Sequence, residues 1–429
     1  MKSGIGSLAR GPPRRSAAPG RGLPHFKPKL QACNFDRKDL FRNPQANIRG
    51  HRASMSTLTN NRNQKLREFE KASFSRFCLK HGYDEREYSE MIMDVVKSRV
   101  AASIADIDLR KLTDPWIRKH IETMQRATDY ISMREQDNLA SLRLYTQMIS
   151  NHFRNLPINM HYVAALSKTL RLKEESDEAV ATIKLIEAVP LISNWDLEFN
   201  AFVTGESEFD GLPGVCIYEV LLTSCQAFTS FVVPAVFDFE GRTAKLADTK
   251  KLELVANNAE FVDRLTGCLQ FLLCEDADRR LAGEIGSYAL QRILDLITTG
   301  SAGMVWLHEF GHLLQGHLRM PESHQIEFDA DRFAFTLYAY EASTQPHGIW
   351  YFFGALATVF LLDILETVHR AKESKSHPLA RSRMRAALEV LMEIAPAWEY
   401  TAYAYVCCLA TVVNPTLQKR WAVSIDYSR

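Results

Sequence analysis

The stretch Val305-Trp306-Leu307-His308-Glu309-Phe310-Gly311-His312-Leu313-Leu314 sets two histidines four residues apart inside an apolar-periodic run. A helical turn takes 3.6 residues, so this spacing predicts a helix with both imidazoles on one face. From there they can reach a single zinc ion. Glu309, a fraction of a turn away, is placed to take a proton from water at that ion without being a ligand itself. Fifteen residues after His312, the run Glu327-Phe328-Asp329-Ala330-Asp331-Arg332-Phe333-Ala334 is again compatible with a helix. A catalytic zinc takes three protein ligands and keeps one open position, and Glu327 supplies the third. Asp331 lies one turn further on the same face, where it can accept a hydrogen bond from the far nitrogen of a ligating histidine. The connection 315–325, with Gly316 and Pro321, lets the second helix fold back on the first.

His308-Glu309-x-x-His312 followed by Glu327-Phe328-x-Ala330-Asp331 resembles the gluzincin zinc metallopeptidases. The pattern is most similar to the M48-type enzymes and to the bacterial peptidases typified by the phage-exclusion protease Lit (peptidase U49). Two further segments carry the resemblance. Asn200-Ala201-Phe202, followed by a strand at 215–220, is similar to the N-A-F edge strand that precedes the metal helix in M48-like proteins. Ser376-His377-Pro378, with Arg383 and Leu388 beyond, is similar to their [ST]-H-P…R…L segment. The resemblance covers roughly residues 191–390. It implies one Zn²⁺ per chain held by His308, His312 and Glu327, with Glu309 as general base and His377 as oxyanion stabiliser. It also implies that Asn200, Ala201 and Phe202 bind substrate in extended form by adding backbone hydrogen bonds at a sheet edge. A Lit-like role would mean one dedicated protein target. One departure stands out: about 105 residues separate Phe202 from His308, longer than the family's usual interval, so an insertion is required.

Other side chains read more plainly. The metzincin spacing H-E-x-x-H-x-x-G-x-x-H would need glycine at Gln315 and histidine at Leu318. His317 and His324 are therefore read as exposed or loop histidines, and Tyr338 and Tyr340 as core packing.

Around this centre the chain has 429 residues, enough for two or three domains, and its 46% hydrophobic and 24% charged residues exclude disorder throughout. The net charge of +1 is a sum of unlike parts. Residues 1–54 carry twelve Lys/Arg and two Asp, and the remaining 375 residues carry forty Lys/Arg against forty-nine Asp/Glu. The first segment is a basic, proline-rich tail. Its prolines oppose the amphipathic helix of a transit peptide, and Met55 would serve as a later start. Its few aromatics (Phe26, Phe35, Phe41) give no reason to expect nucleic acid. From 63 to 188 apolar residues recur three and four apart between prolines 115, 157 and 190, which predicts a helical accessory domain over 55–190.

Residues 191–429 form the expected metallopeptidase domain. Strands are expected at 197–203 and 215–220, with 231–239 continuing the sheet and Pro234 marking an edge or break. Helices follow after Arg242. Two apolar runs, 348–362 and 401–413, are closed by Asp363 and Glu366 and by Pro415. Both are shorter than the ~20 residues of a spanning helix, so they read as buried core helices and membrane association is not favoured. Eight cysteines without a C-x-x-C pair read as reduced thiols of a cytoplasmic protein.

The expected fold class is thus α+β and predominantly α-helical: a gluzincin-type domain with a small edge-strand sheet plus an N-terminal helical domain. The expected activity is zinc-dependent hydrolysis of peptide bonds in a protein or peptide substrate. Its rivals are a membrane-associated M48-like protease and a zinc-stabilised interaction module without catalysis. Substrate identity and oligomeric state are not encoded in these motifs. Deleting residues 1–54 should leave zinc binding and hydrolysis intact, as judged by metal content and cleavage assays on the shortened chain.

Overall fold

The computed structural model describes residues 55–90, 189, 191–194, 201–204, 214–240, 243–272, 288–345, 347–370 and 377–427. In chain order these form α1 (Met55–His81), β1 (Leu191–Asn194), β2 (Ala201–Val203), β3 (Val215–Tyr218), α2 (Glu219–Val236), β4 (Phe237–Glu240), β5 (Thr243–Leu246), α3 (Thr249–Ala256), α4 (Ala259–Leu272), α5 (Tyr288–Leu314), α6 (His324–Thr344), α7 (Gly348–His369), α8 (Ala380–Ile394) and α9 (Glu399–Trp421). The class is α+β and mainly helical.

The small sheet has the order β1-β3-β2, with β1 parallel and β2 antiparallel to β3. All four residues of β3 are buried, as a central strand requires. In β2, Ala201 pairs with Ile217, Phe202 with Cys216 and Val203 with Val215. Thr204 closes this pair: its N–H donates to Gly214 O, and its Oγ1 accepts from Gly214 N, each at 2.7 Å. β2 is therefore an edge strand, and it lies against α5. A second hairpin, β4–β5, stands apart from this sheet.

Three sequence expectations change here. The strand expected at 215–220 ends at Tyr218, and Glu219 already belongs to a helix. Residues 231–236 do not continue the sheet but lie in α2, with Pro234 inside the helix. The β-branched run Phe231-Val232-Val233 has strand propensity, yet Leu221, Cys225, Phe228, Val232 and Val236 are spaced three and four apart and are all buried. Burial of that stripe against α5, α7 and α9 decides the matter. Residues 243–246, expected to start a helix, form β5. α2, the β4–β5 hairpin, α3 and α4 occupy much of the long interval between β2 and α5.

The core centres on α7, which packs on α2, α5, α6, α8 and α9. Asp363 and Glu366 do not close this helix as expected; it runs on to His369 and is 22 residues long. By length and composition it could cross a membrane, but 89% of its most apolar window is buried inside the protein. Asp363, also buried, accepts from the Tyr427 hydroxyl at 2.6 Å, and Glu366 accepts from the Ala380 N–H at 2.8 Å. Pro415 likewise lies inside α9 instead of ending it. Beyond α9 the chain returns across the bundle, with the Asn414 side chain donating to Ile425 O and accepting from Ile425 N, both at 2.8 Å. Cysteines 78, 216, 225, 268, 407 and 408 are free thiols.

Of the expected accessory domain only 55–90 falls among the described residues besides Val189; helices placed by sequence at 116–134 and 137–153 lie outside them. α1 buries Phe74, Phe77 and Cys78 against Tyr83 and Tyr88, and its Phe69 packs on Ile192 and Cys216 of the sheet.

α5 and α7 touch backbone to backbone. A Cβ at Gly354 would sit 2.0 Å from Ile297 O and 2.6 Å from Ser301 N, atoms that cannot swing aside. Gly354→Ala should therefore destabilise the protein by about 1–3 kcal/mol, read as a lower denaturation midpoint with an unchanged slope.

Candidate active site

α5 is apolar over most of its surface and buried from Gly300 to Gly311, so its polar face can survive only where charges meet partners. His308 and Glu309 are buried and His312 is half-buried on this helix. α6 crosses α5 so closely that a Cβ at Gly311 would lie 2.9 Å from the Ala330 Cα. Only glycine facing alanine permits this contact, and it brings Glu327 of α6 over the two histidines. His308 Nε2 lies 3.1 Å from His312 Nε2, 3.4 Å from Glu327 Oε2, and His312 Nε2 is 3.6 Å from Glu327 Oε1. The three residues offer ligand atoms all within 4.8 Å of one another, a group that could hold a metal ion.

A further set of groups grips the outer side of these ligands. His308 Nδ1 donates to Asp331 Oδ1 at 2.8 Å. Asp331 is fully buried, and Arg383 from α8 clamps it with two bonds of 2.7 Å, Nε to Oδ2 and Nη2 to Oδ1. His312 Nδ1 meets His317 Nδ1 at 3.0 Å. His377, 72% exposed, stands at the rim with Nδ1 3.7 Å from Glu327 Oε1. Ala201 and Phe202 lie on β2 beside α5, with Phe202 37% exposed and its ring 6.2 Å from that of Tyr218. Asn200 falls outside the described residues.

His317 corrects the sequence reading. Instead of being exposed or lying in an open loop, it is buried in a 3₁₀ turn (His317–Arg319) directly behind His312. The signal lies in Gly316, whose φ of +72° reverses the chain just past α5. Arg383 entered the sequence reading only as a letter in a motif; its bond to Asp331 spans 52 residues and leaves no local trace. His324 opens α6, half-buried. Tyr338 is a core residue whose hydroxyl donates to Gly300 O at 3.1 Å, tying α6 to α5.

The buried charges and rings at this crossing shift one another's titration. Burial works against a charged His308, but its hydrogen bonds to the Asp331 and Glu327 carboxylates outweigh it and push the ring up to about 9. Burial and then the charge of His308 drive His312 down to about 3, so His308 is the ring of the two that more readily takes positive charge. Burial opposes ionisation of Glu327, yet the His308 hydrogen bond and the neighbouring His308, His312 and Arg383 charges hold it down at about 2. Burial likewise opposes ionisation of Asp331, but Arg383 and His308 hold it well below the usual carboxylate range. Glu309 behaves differently: burial pushes it up to about 7. No hydrogen bond from the described residues satisfies its carboxylate, which leaves it free to exchange a proton near neutrality.

One helix pair thus brings together two histidines, a carboxylate and a buried acid. Residues 282–401 match the family model described as Peptidase U49. The matched stretch contains His308, Glu309, His312, Glu327, Asp331, His377 and Arg383, in line with the resemblance read from the motifs. No curated protein and no solved structure matches the chain.

Glu309 has a measurable signature. Its folded pKa lies above its ordinary value of 4.5, so the folded protein keeps a proton that the unfolded chain loses as pH rises from about 4.5 to about 7. Stability contributed by this group is therefore present at acid pH and lost through that window. In chelator, Glu309→Gln should gain up to about 3 kcal/mol over the wild type at pH 8 and little at pH 4. A gain independent of pH would contradict burial as the cause.

Proposed function

We propose that this chain is a zinc-dependent metallopeptidase of gluzincin type that hydrolyses peptide bonds in a protein substrate. The observation that carries this reading is the triangle of His308 Nε2, His312 Nε2 and the Glu327 carboxylate, with separations of 3.1, 3.4 and 3.6 Å. Tetrahedral zinc with bonds of about 2.0–2.1 Å sets its ligands roughly 3.3–3.5 Å apart. The donor set fits as well: two imidazole nitrogens and one carboxylate, each ring oriented by a group bound to its other nitrogen. Zinc in this position would supply a Lewis acid that polarises the scissile carbonyl and acidifies water beside it.

The protein residues do the rest. Glu309 takes the proton of the attacking water and returns it to the leaving amine, a task suited to an acid poised near 7. Asp331, itself fixed by Arg383, holds the His308 ring in place. An extended substrate lies along β2, where Asn200, Ala201 and Phe202 were expected to receive it; backbone bonding there would be sequence-tolerant, with alternate side chains giving the selectivity. His377 at the rim stabilises the oxyanion of the tetrahedral intermediate. The buried packing of α7 supports a role inside the protein core.

Glu309→Gln should abolish cleavage, detected by comparing proteome-wide fragments with the wild type, while zinc content stays near one per chain. Full residual cleavage by a clean Glu309→Gln preparation would sink the assignment.

A further inference from the structure

Both ring nitrogens of His312 are committed. Its Nε2 faces His308 Nε2 and Glu327 Oε1, and its Nδ1 lies 3.0 Å from His317 Nδ1. The His312 and His317 rings cross at 73° with centroids 5.1 Å apart, an edge-on meeting that aims one nitrogen at the other. A neutral imidazole that offers a lone pair at one nitrogen carries its hydrogen on the other. If His312 presents Nε2 to a metal ion, its Nδ1 bears the hydrogen, and His317 Nδ1 must accept it. We propose that His317 is a positioning residue for the metal centre, accepting the Nδ1 hydrogen of His312 and thereby fixing which nitrogen of that ring faces the ion. This rests on the metal-site reading above and adds to it a residue outside the ligand set.

The fold makes the contact a built one. α5 stops at Leu314, Gly316 turns the chain with φ +72°, and His317 folds back under the helix that carries its partner. His317 is 5% exposed, while the next residue, Leu318, is 48% exposed, so the turn buries the imidazole and leaves the apolar neighbour outside. The two histidine ligands are then oriented by unlike groups. Behind His308 stands a carboxylate whose charge is shared with Arg383; behind His312 stands a second imidazole, which brings no negative charge. A neutral acceptor fixes the tautomer without adding negative charge to the centre, so His312 is the less strongly polarised of the two donors.

The test uses the full chain, with Zn²⁺ affinity measured by competition with a chromophoric chelator and the ligand field read from the visible spectrum of the Co²⁺-loaded protein. His317→Gln keeps a hydrogen-bond acceptor, and His317→Phe removes it while keeping ring volume. His317→Phe should bind zinc about 10- to 100-fold more weakly and shift the cobalt bands, and His317→Gln should stay within a few-fold of wild type. Melting curves in chelator show whether each variant is folded, and His317→Leu serves the same comparison if the phenylalanine variant is not. Wild-type affinity and an unchanged cobalt spectrum in His317→Phe would overturn the inference, as would equal weakening by Gln and Phe. Absence of zinc uptake by the wild-type chain would instead remove the metal-site reading itself.

Discussion

Two helix backbones in contact at Gly311 and Ala330 govern this molecule. The contact is what allows a carboxylate on α6 to stand over two imidazoles on α5, and it has to be made where water is largely excluded. Desolvation then turns every polar group at the crossing into a structural obligation. His308 is held by Asp331, Asp331 by Arg383, and His312 by His317, so each buried charge or ring nitrogen hands its requirement outward to the next shell. The surrounding helices, α7 above all, supply the apolar mass that keeps this small polar core dry.

Glu309 is the exception that gives the arrangement its chemistry. Its neighbours are arranged so that one carboxylate, Glu327, stays ionised and another, Glu309, is left near the point of exchange. Two acids of the same kind, on facing helices, are pushed apart by the company they keep. The separation arises because burial prevails at Glu309, whereas at Glu327 the His308 hydrogen bond and the neighbouring positive charges overcome it.

What could be read from the sequence was what the chain encodes locally. His308, Glu309 and His312 lie on one helical turn, and Glu327 and Asp331 on another, so spacing alone gave their relative positions and the structure brings the two groups together. Contacts made by tertiary folding were not readable. Arg383 reaches Asp331 across 52 residues, and His317 meets His312 only because Gly316 adopts a left-handed conformation. The strand reading of 231–236 failed for a related reason: Val232 and Val233 favour strands as isolated residues, but their burial partners are helices. β1 escaped notice because Leu-Ile-Ser-Asn is too short to show alternation, and its parallel pairing with β3 depends on a distant segment.

α7 carries a consequence for how the protein is made. Its most apolar window would pass for a lipid-crossing segment if it emerged from the ribosome alone. It does not emerge alone, because α2, α5 and α6 precede it in the chain and already present the surfaces that cover it. α8 and α9 follow it and complete its cover. The order of elements along the chain therefore shortens the time during which a membrane-like helix lies bare, and it makes the helices that carry the histidine–glutamate cluster part of the surface that covers it.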